Sequence, residues 1–344
     1  MRMVKIRTAG FRMIGMILCG GYGKRFYPLT QKVPKLLLKI KDDYTILDRQ
    51  LFAYKNAGFD KVLMLTGHLS KKIEEKYGAK HKGLKIEYVV EKKPLGTLNA
   101  IRLGMIAAND DVFVSNGDMV ADINIKRMVQ EFKPAEYLAS MFVMRMRSPY
   151  GIVMLGDRHI ESFKEKPVLD YCINAGFYCL SKKILSLLEE FKVGDIEKTV
   201  FPRLAEMKKI AYYKEEIPFW ASIDSIKDWE EVKKEYENRT DKPWGYEKLL
   251  LLTKEMMEKE LYLMAGYKTS LHYHKQRDET LNIISGTGYV EFEGRKEEFR
   301  TGSAILIKPG TLHTIVATEN TLIKEVSTPH PDDVVRIKDY YEVR

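Results

Sequence analysis

The chain reads as an α/β domain built on a doubly wound sheet, followed by a small all-β domain. Three features carry that reading. Short β-rich runs alternate with helix-periodic stretches from residue 13 to about 121, helix patterns nearly vanish after 238, and a glycine-rich loop sits directly behind the first apolar run. Such alternation argues for a parallel sheet, because parallel neighbours need a crossover helix between them. Strands are expected at 13–18, 61–66, 84–90 and 111–115, each dominated by aliphatic or β-branched residues. Helices are expected at 47–57, 70–77 and 96–107, where apolar residues recur every three or four positions. Strands and a further helix pair continue through 137–213, and 229–238 reads as a charged closing helix.

The segment Asn238-Arg239-Thr240-Asp241-Lys242-Pro243 is polar and ends on proline, which marks a linker. Beyond it, short alternating runs at 260–264, 281–284, 288–293, 304–307 and 322–326 are punctuated by glycine and predict a sandwich or barrel. The expected division is an extension at 1–12, a first domain at 13–238, a linker at 239–243 and a second domain at 244–344. The basic first residues lack an apolar core with a small-residue cleavage site, so they read as a ragged extension, with Met13 or Met16 an alternative start.

Composition excludes several classes. At 344 residues the chain exceeds the ~250–300 at which a single core stops growing. No apolar run approaches the roughly 20 residues that span a bilayer, so no membrane partner is expected. The net charge of +9 is dispersed, commonly beside Glu, as in Lys71-Lys72-Ile73-Glu74-Glu75-Lys76. Mixed runs of this kind are solvated helix faces, and no nucleic-acid partner is expected from them. The charge suits small anionic substrates instead. Cys19, Cys172 and Cys179 are odd in number and widely spaced. They read as reduced residues of a cytoplasmic protein.

The chemistry begins at Leu18-Cys19-Gly20-Gly21-Tyr22-Gly23-Lys24-Arg25. Glycines at a strand's carboxyl end let backbone N–H groups approach phosphate oxygens. Arg25 and Lys35 add fixed cations for a polyphosphate. The loop lacks the Gly-Lys-Ser/Thr ending of a P-loop, and Phe26 occupies the third glycine of a dinucleotide fingerprint. Asp118 follows the strand at 111–115 in an Asn116-Gly117-Asp118 turn at the ligand end of the sheet. Gly96 and Thr97 open a predicted helix, and Glu91 lies just upstream of it.

With Pro28-Leu29-Thr30 and Pro34-Lys35 behind it, the loop resembles the signature of the sugar-1-phosphate nucleotidylyltransferases, departing from it at Lys24 and Leu36, where Thr and Pro are usual. The resemblance covers roughly 13–238 and implies a Rossmann-like, doubly wound mixed sheet. It implies that Leu18, Gly20, Gly21, Gly23 and Lys24 bind the nucleotide with Glu91, Gly96 and Thr97. Arg25, Lys35 and Asp118 are then the catalytic set, with Asp118 on Mg²⁺. The second Mg²⁺ carboxylate is Asp224, since Trp220-Ala221-Ser222-Ile223-Asp224-Ser225 resembles the spacing of glucose-1-phosphate cytidylyltransferases. Glu165-Lys166-Pro167 matches the family's sugar-phosphate motif, with Lys166 on the 1-phosphate and Glu165 on sugar hydroxyls. Asn174-Ala175-Gly176 matches a hexose-contacting piece. In the implied reaction a sugar 1-phosphate oxygen attacks the nucleotide α-phosphorus in line and expels pyrophosphate.

In the second domain, Gly266, His272-Tyr273-His274, Glu279 and Gly286, then Gly302, Gly310 and His313, resemble the two cupin motifs in residue type and spacing. This implies an all-β jelly roll, and cupins commonly pair into homodimers. Residues two apart on a strand face the same way, so His272 and His274 can share one ion. Glu279 is an odd step away and needs a turn at 275–278 to return to the same face, while His313 follows a Pro309-Gly310-Thr311 turn. Three imidazoles and a carboxylate hold Zn, Mn, Fe or Ni. The flanks Lys242-Pro243-Trp244-Gly245, Glu325-Val326 and Asp332-Asp333-Val334-Val335-Arg336 resemble the type II phosphomannose isomerase domain, although His272 replaces a usual Gln and Thr280-Leu281 a usual His-Trp. The combination implies GTP and mannose 1-phosphate for the first domain and mannose 6-phosphate isomerisation for the second. The alternative is CTP or dTTP with glucose or heptose 1-phosphate and a cupin that senses sugar without turnover. Sequence names no base for the isomerisation.

Overall fold

The computed structural model describes residues 13–191 and 193–341, and the extension expected at 1–12 lies outside them. Two compact units emerge. One comprises residues up to Leu36 with Ala57–Met119 and Ile125–Glu216, and the other comprises Leu37–Asn56, Val120–Asn124 and the chain from Ile217 onward.

The first unit is the expected mixed α/β sheet. Its strand order is Ile210–Tyr213, Ala139–Arg147, Val168–Leu180, Val112–Asn116, Ile14–Cys19, Lys61–Thr66, Leu84–Val90 and Lys80–His81. Ile14–Cys19 is central and runs parallel to Lys61–Thr66 on one side and Val112–Asn116 on the other. Val168–Leu180 enters antiparallel and makes the sheet mixed. A strand covered on both faces needs apolar side chains on both, which is why Met16, Ile17, Val62, Leu63, Met64 and Leu65 are all buried. Helix Thr97–Ala108 lays Leu98, Ile101 and Met105 against Met16 and Leu65. The helix at Ser70–Tyr77 has the bounds expected from periodicity.

The second unit closes two antiparallel sheets on each other. Arg239–Lys242, Gly245–Leu252, Met257–Leu263, Thr321–Ser327, Glu279–Ser285 and Ala304–Ile307 form one. Arg295–Arg300, Thr287–Phe292, His313–Ala317, Leu271–Tyr273 and Val335–Lys338 form the other. Leu261, Leu281, Ile305 and Ile323 of the first sheet share a core with Val290, Phe292, Phe299 and Ile315 of the second. This is the expected jelly-roll sandwich. No helix among the described residues is long and apolar enough to cross a membrane.

Two stretches differ from expectation. The charged helix begins earlier, at Ile226–Tyr236, because Ser225 and Asp228 form a capping box that satisfies its first amides. The stretch expected as a linker is instead a strand, Arg239–Lys242, paired with Gly245–Leu252. Its polar composition reflects a buried ion cluster rather than a solvated connector. Arg239 is 1% exposed, flanked by the Tyr236 and Tyr246 rings at 4.8 and 3.9 Å. It pairs in two-pronged fashion with Asp122, and with Asp241 at 3.1 Å and Glu235 at 3.3 Å. Arg49 reaches the same aspartates at 3.3 and 3.2 Å and donates to the Tyr236 hydroxyl at 2.8 Å.

Removing one member of such a cluster strands charges in the interior, which costs about 3–5 kcal/mol. Arg239→Met is therefore expected to lower unfolding stability by that amount in urea titrations. Glu131→Gln, which breaks the half-exposed Arg127–Glu131 pair, is expected to cost no more than about 0.5 kcal/mol.

Candidate functional site

The glycine loop leaves the carboxyl end of the central strand Ile14–Cys19, where open α/β sheets hold ligands. The Leu18 carbonyl accepts the Gly117 N–H at 3.1 Å, so the loop and the Asn116-Gly117-Asp118 turn emerge side by side. A Cβ on Gly117 would lie 2.2 Å from the Leu18 carbonyl oxygen, so only glycine allows that approach. Gly20 and Gly21 lead to a short helical turn at Lys24–Phe26, whose start is held by Gly23: its carbonyl accepts the Phe26 N–H at 2.8 Å and the Thr30 hydroxyl at 2.7 Å. Phe26 is buried and anchors the loop, while Lys24 and Arg25 stay exposed. Lys35 lies 5.4 Å from the Phe26 ring centre, and its Nζ donates to Asp118 Oδ2 at 2.9 Å. Lys35 and Asp118, far apart in sequence, thus form an ion pair beside the loop. Asp118 Oδ1 makes no hydrogen bond among the described residues. A partly exposed carboxylate with one oxygen uncommitted fits the oxygen-only preference of Mg²⁺.

Glu91 follows strand Leu84–Val90, and its Oε1 accepts the Leu95 N–H at 3.3 Å and Asn99 Nδ2 at 2.6 Å. One carboxylate oxygen thus organises the 94–97 turn, and Oε2 is left without a protein partner among the described residues. Gly96 caps helix Thr97–Ala108 with φ +96°, and a Cβ there would sit 2.1 Å from the Gly194 carbonyl oxygen. The Thr97 hydroxyl donates to Glu197 Oε2 at 2.9 Å and accepts the Ile196 N–H at 3.0 Å. Both residues are committed to fastening the 194–197 segment.

Val168–Leu180 slips register between Asn174 and Tyr178, a bulge that re-aims the chain. Within it Asn174 Nδ2 donates to the Tyr178 hydroxyl at 2.8 Å and Asn174 Oδ1 accepts the Gly176 N–H at 2.9 Å. Asn116 bonds the same Tyr178 hydroxyl, so Asn174 and Gly176 are tied to the turn that carries Asp118. Glu165 and Lys166 follow the exposed strand Ile160–Lys164, with Lys166 at φ +44°. A Cβ on Gly151, across that hairpin, would lie 3.1 Å from Glu165 Oε2. Asp224 belongs to the second unit, where the Ser222 hydroxyl donates to its Oδ2 at 2.7 Å and its own N–H donates to Asp228. Sequence reasoning assigned no role to Asn116 or Gly151, and Thr30 entered it only as part of the loop signature. Asn116 adjoins the Asp118 signature, but its pairing with Tyr178 is a long-range contact with no local trace.

In the second unit, ligand atoms of His272, His274 and His313 lie within 4.8 Å of one another. Antiparallel pairing sets His272 opposite His313. All three imidazoles engage a main-chain carbonyl through Nδ1: His272 with Ser270 at 2.8 Å, His313 with Thr311 at 3.0 Å, and His274 with Asp333. An Nδ1–H donor leaves Nε2 as a lone pair in each ring. Glu279 completes the group, with its oxygens 3.1 Å from His313 Nε2 and 3.4 Å from His274 Nε2. The buried His313 Nε2 makes no hydrogen bond among the described residues, although a Glu279 oxygen lies beside it. Orphaned lone pairs converging with a carboxylate are the donor set a divalent ion needs. Burial, reinforced by His313, holds the His272 imidazole down to about 3, and burial also lowers His274. Burial opposes charge on Glu279, but the facing His313, His274 and His272 keep its carboxyl below the usual range.

Three further residues support this centre and were not singled out as site residues from sequence. Asp333 accepts the Lys275, Gln276 and Arg277 N–H groups at 2.9, 2.6 and 2.8 Å. Despite a desolvation cost, those bonds hold its carboxyl at about 2. Arg277, 2% exposed, spans Glu279 at 4.0 Å and Glu325 at 3.3 Å. Burial, then Glu279, push the Glu325 carboxyl up to about 7.

The nucleotidyl transferase family model matches residues 14–239, and a cupin domain model matches residues 260–326. The mannose-1-phosphate guanylyltransferase catalytic subunit beta of Drosophila pseudoobscura pseudoobscura is 32% identical over 232 residues, 64% of this chain and 62% of its own length. The mannose-1-phosphate guanyltransferase of Saccharomyces cerevisiae is 32% identical over 231 residues, 63% of each. The chain thus spans less than two thirds of the relatives it matches. A UDP-glucose pyrophosphorylase structure with UDP-glucose is 20% identical at TM-score 0.53, covering 65% of this chain and 98% of that one, which supports the fold.

Loss of the Asp333 carboxylate by Asp333→Ala is expected to weaken Zn²⁺ affinity by about 10–100-fold, read by competition with a chromophoric chelator. The metal-free protein is expected to lose stability as pH falls from about 6.5 towards 3. In that window the unfolded chain protonates its histidines while His272 and His274 resist, so the native state binds fewer protons and stability rises with pH. Thermal midpoints across pH in EDTA measure the slope, and His272→Gln should flatten it.

Proposed function

Because this chain belongs to the nucleotidyl transferase family, we propose that it joins GTP to mannose 1-phosphate and releases pyrophosphate, and that its cupin interconverts mannose 6-phosphate and the corresponding ketose phosphate. The observation that carries the first activity is the Lys35–Asp118 pair beside a glycine loop at the carboxyl end of the central strand. The guanosine and mannose assignments are supported by the named substrates of the 32%-identical relatives. We assign residues 13–238 to the transferase and 244–344 to the cupin. The three cysteines are free, with Cys172 exposed, which suits a reducing cytoplasm.

Phosphoryl chemistry leaves protein little covalent work, so positioning and charge neutralisation dominate. Gly20, Gly21 and Gly23 turn amides toward the triphosphate from Leu18 onward, and Lys24 adds charge at the rim. Glu91 offers Oε2 to the exocyclic amine of the base, beside the Gly96-Thr97 helix start. Lys166 neutralises the sugar 1-phosphate, and Glu165, Asn174 and Gly176 hold its hydroxyls. Arg25 and Lys35 stabilise the charge that develops on departing pyrophosphate. Asp118 would hold Mg²⁺, which would supply charge neutralisation on the phosphates, and Asp224 is the second candidate carboxylate by the spacing of its motif alone. In the cupin, His272, His274, Glu279 and His313 would hold a divalent ion of Zn, Mn, Fe or Ni, which polarises the sugar carbonyl when bound. A second reading, CTP or dTTP with glucose or heptose 1-phosphate and a sensing cupin, is favoured by the Asp224 spacing alone.

Pyrophosphate release across a matrix of nucleoside triphosphates and hexose 1-phosphates tests the reading. Release with GTP and mannose 1-phosphate alone is expected; release confined to CTP or dTTP pairs supports the second reading instead. Asp118→Asn is expected to lower kcat by about 10²-fold or more with unchanged fold. Glu279→Gln should abolish isomerisation while leaving pyrophosphate release intact, and altered transferase kinetics would instead mark a sensor.

A further inference from the structure

Strand Thr321–Ser327 turns Thr321, Ile323, Glu325 and Ser327 into the interior. Cross-strand partners share a face. Glu279 is paired with Ser327 and Leu281 with Glu325 on one side, while Met257 is paired with Ser327 and Lys259 with Glu325 on the other. Glu325 and Ser327 therefore project with the ligating Glu279 from one inner face, beside Leu261, Leu281, Ile283 and Ile323. Arg277 bridges the two carboxylates, with Nη1 3.3 Å from Glu325 Oε1 and 4.0 Å from Glu279 Oε2. Its other donors are consumed by the carbonyls of His330 and Pro331. Glu325 Oε2 consequently has no hydrogen bond among the described residues, and the buried Ser327 hydroxyl has none either. The charged groups facing Glu325 are Glu279, Lys259, Arg277 and Glu247. A purely structural ion pair would not need a second unfilled carboxylate oxygen and an idle hydroxyl beside a ligand set.

We propose that Glu325 is the proton-transferring residue of the cupin, acting on an α-hydroxy-carbonyl sugar phosphate, with Ser327 as a hydrogen-bonding neighbour on the same wall. This rests on the isomerase reading above. The Glu325 carboxylate takes the proton from the carbon next to the carbonyl, and that C–H pair becomes the C=C bond of an enediolate as the carbonyl oxygen gains the proton of the adjacent hydroxyl, whose oxygen is left with the negative charge. Glu325 then returns its proton to the former carbonyl carbon, and the other oxygen becomes the new carbonyl. Atoms and electrons balance with no oxidant or reductant. Arg277 fixes Oε1, which leaves Oε2 to work as the base.

The test uses the full chain loaded with Zn²⁺ or Mn²⁺ and mannose 6-phosphate in D₂O, following exchange of the hydrogen on C2 by NMR, with metal content and sugar-phosphate affinity measured on the same samples. Glu325→Gln is expected to slow exchange and isomerisation by about 10²–10⁴-fold while metal stoichiometry holds and affinity changes less than about threefold. Glu325→Asp, which keeps a carboxylate on a shorter stem, should recover part of the rate. Exchange by Glu325→Gln at the wild-type rate overturns the proposal and leaves the isomerase reading standing. Loss of exchange together with metal in both variants also overturns it, since Glu325 would then be a structural partner of Arg277. A metal-loaded wild-type chain that neither isomerises nor exchanges overturns the isomerase reading and this assignment with it.

Discussion

A buried arginine organises the C-terminal half of this molecule. Arg239 lies between two tyrosine rings and faces Asp122 and Asp241, with Arg49 bridging the same carboxylates. Charges this deep are tolerated only when paired and hydrogen-bonded. The cluster requires chain from three separated stretches, and that requirement explains why Leu37–Asn56 and Val120–Asn124 group with the C-terminal sandwich rather than with the sheet that surrounds them in sequence. Asn56 and Asn124 add hydrogen bonds to the Pro243 and Ala265 carbonyls of that sandwich.

Much of the architecture was legible because it rests on local periodicity. The strands around Leu18, Leu65 and Val114 are apolar on both faces, and Ser70–Tyr77 carries Ile73 and Tyr77 on one buried stripe. The histidine centre was legible too, since a two-residue step on a strand is enough to bring His272 and His274 to one side. What escaped has a common cause. The 239–242 stretch was misread because polarity usually means solvent, and nothing local indicates that Asp122 waits for Arg239. Arg277, Asp333 and Asn116 act through partners dozens of residues away, and their side chains look like any other surface polar residue in sequence. Glu91, Gly96 and Thr97 show the converse: residues noticed for ligand chemistry are also engaged in holding neighbouring backbone.

The imidazole centre is preorganised by its surroundings. Each ring is oriented by a carbonyl behind it, and one of those carbonyls, from Asp333, comes from the final stretch of the chain. The same Asp333 fastens the 275–277 turn that returns Glu279 to the face shared with the histidines. The odd sequence step between His274 and Glu279 is made workable by a single carboxylate anchored almost sixty residues later.

That arrangement has a thermodynamic consequence. Since the closing segment helps fix the ring that binds the ion, ion binding and the seating of that segment must favour one another by equal amounts. A fully loaded molecule should hide its C-terminal bonds from proteases, and an empty one should expose them sooner. Metal scarcity would then set the lifetime of the chain as well as the capacity of its second site.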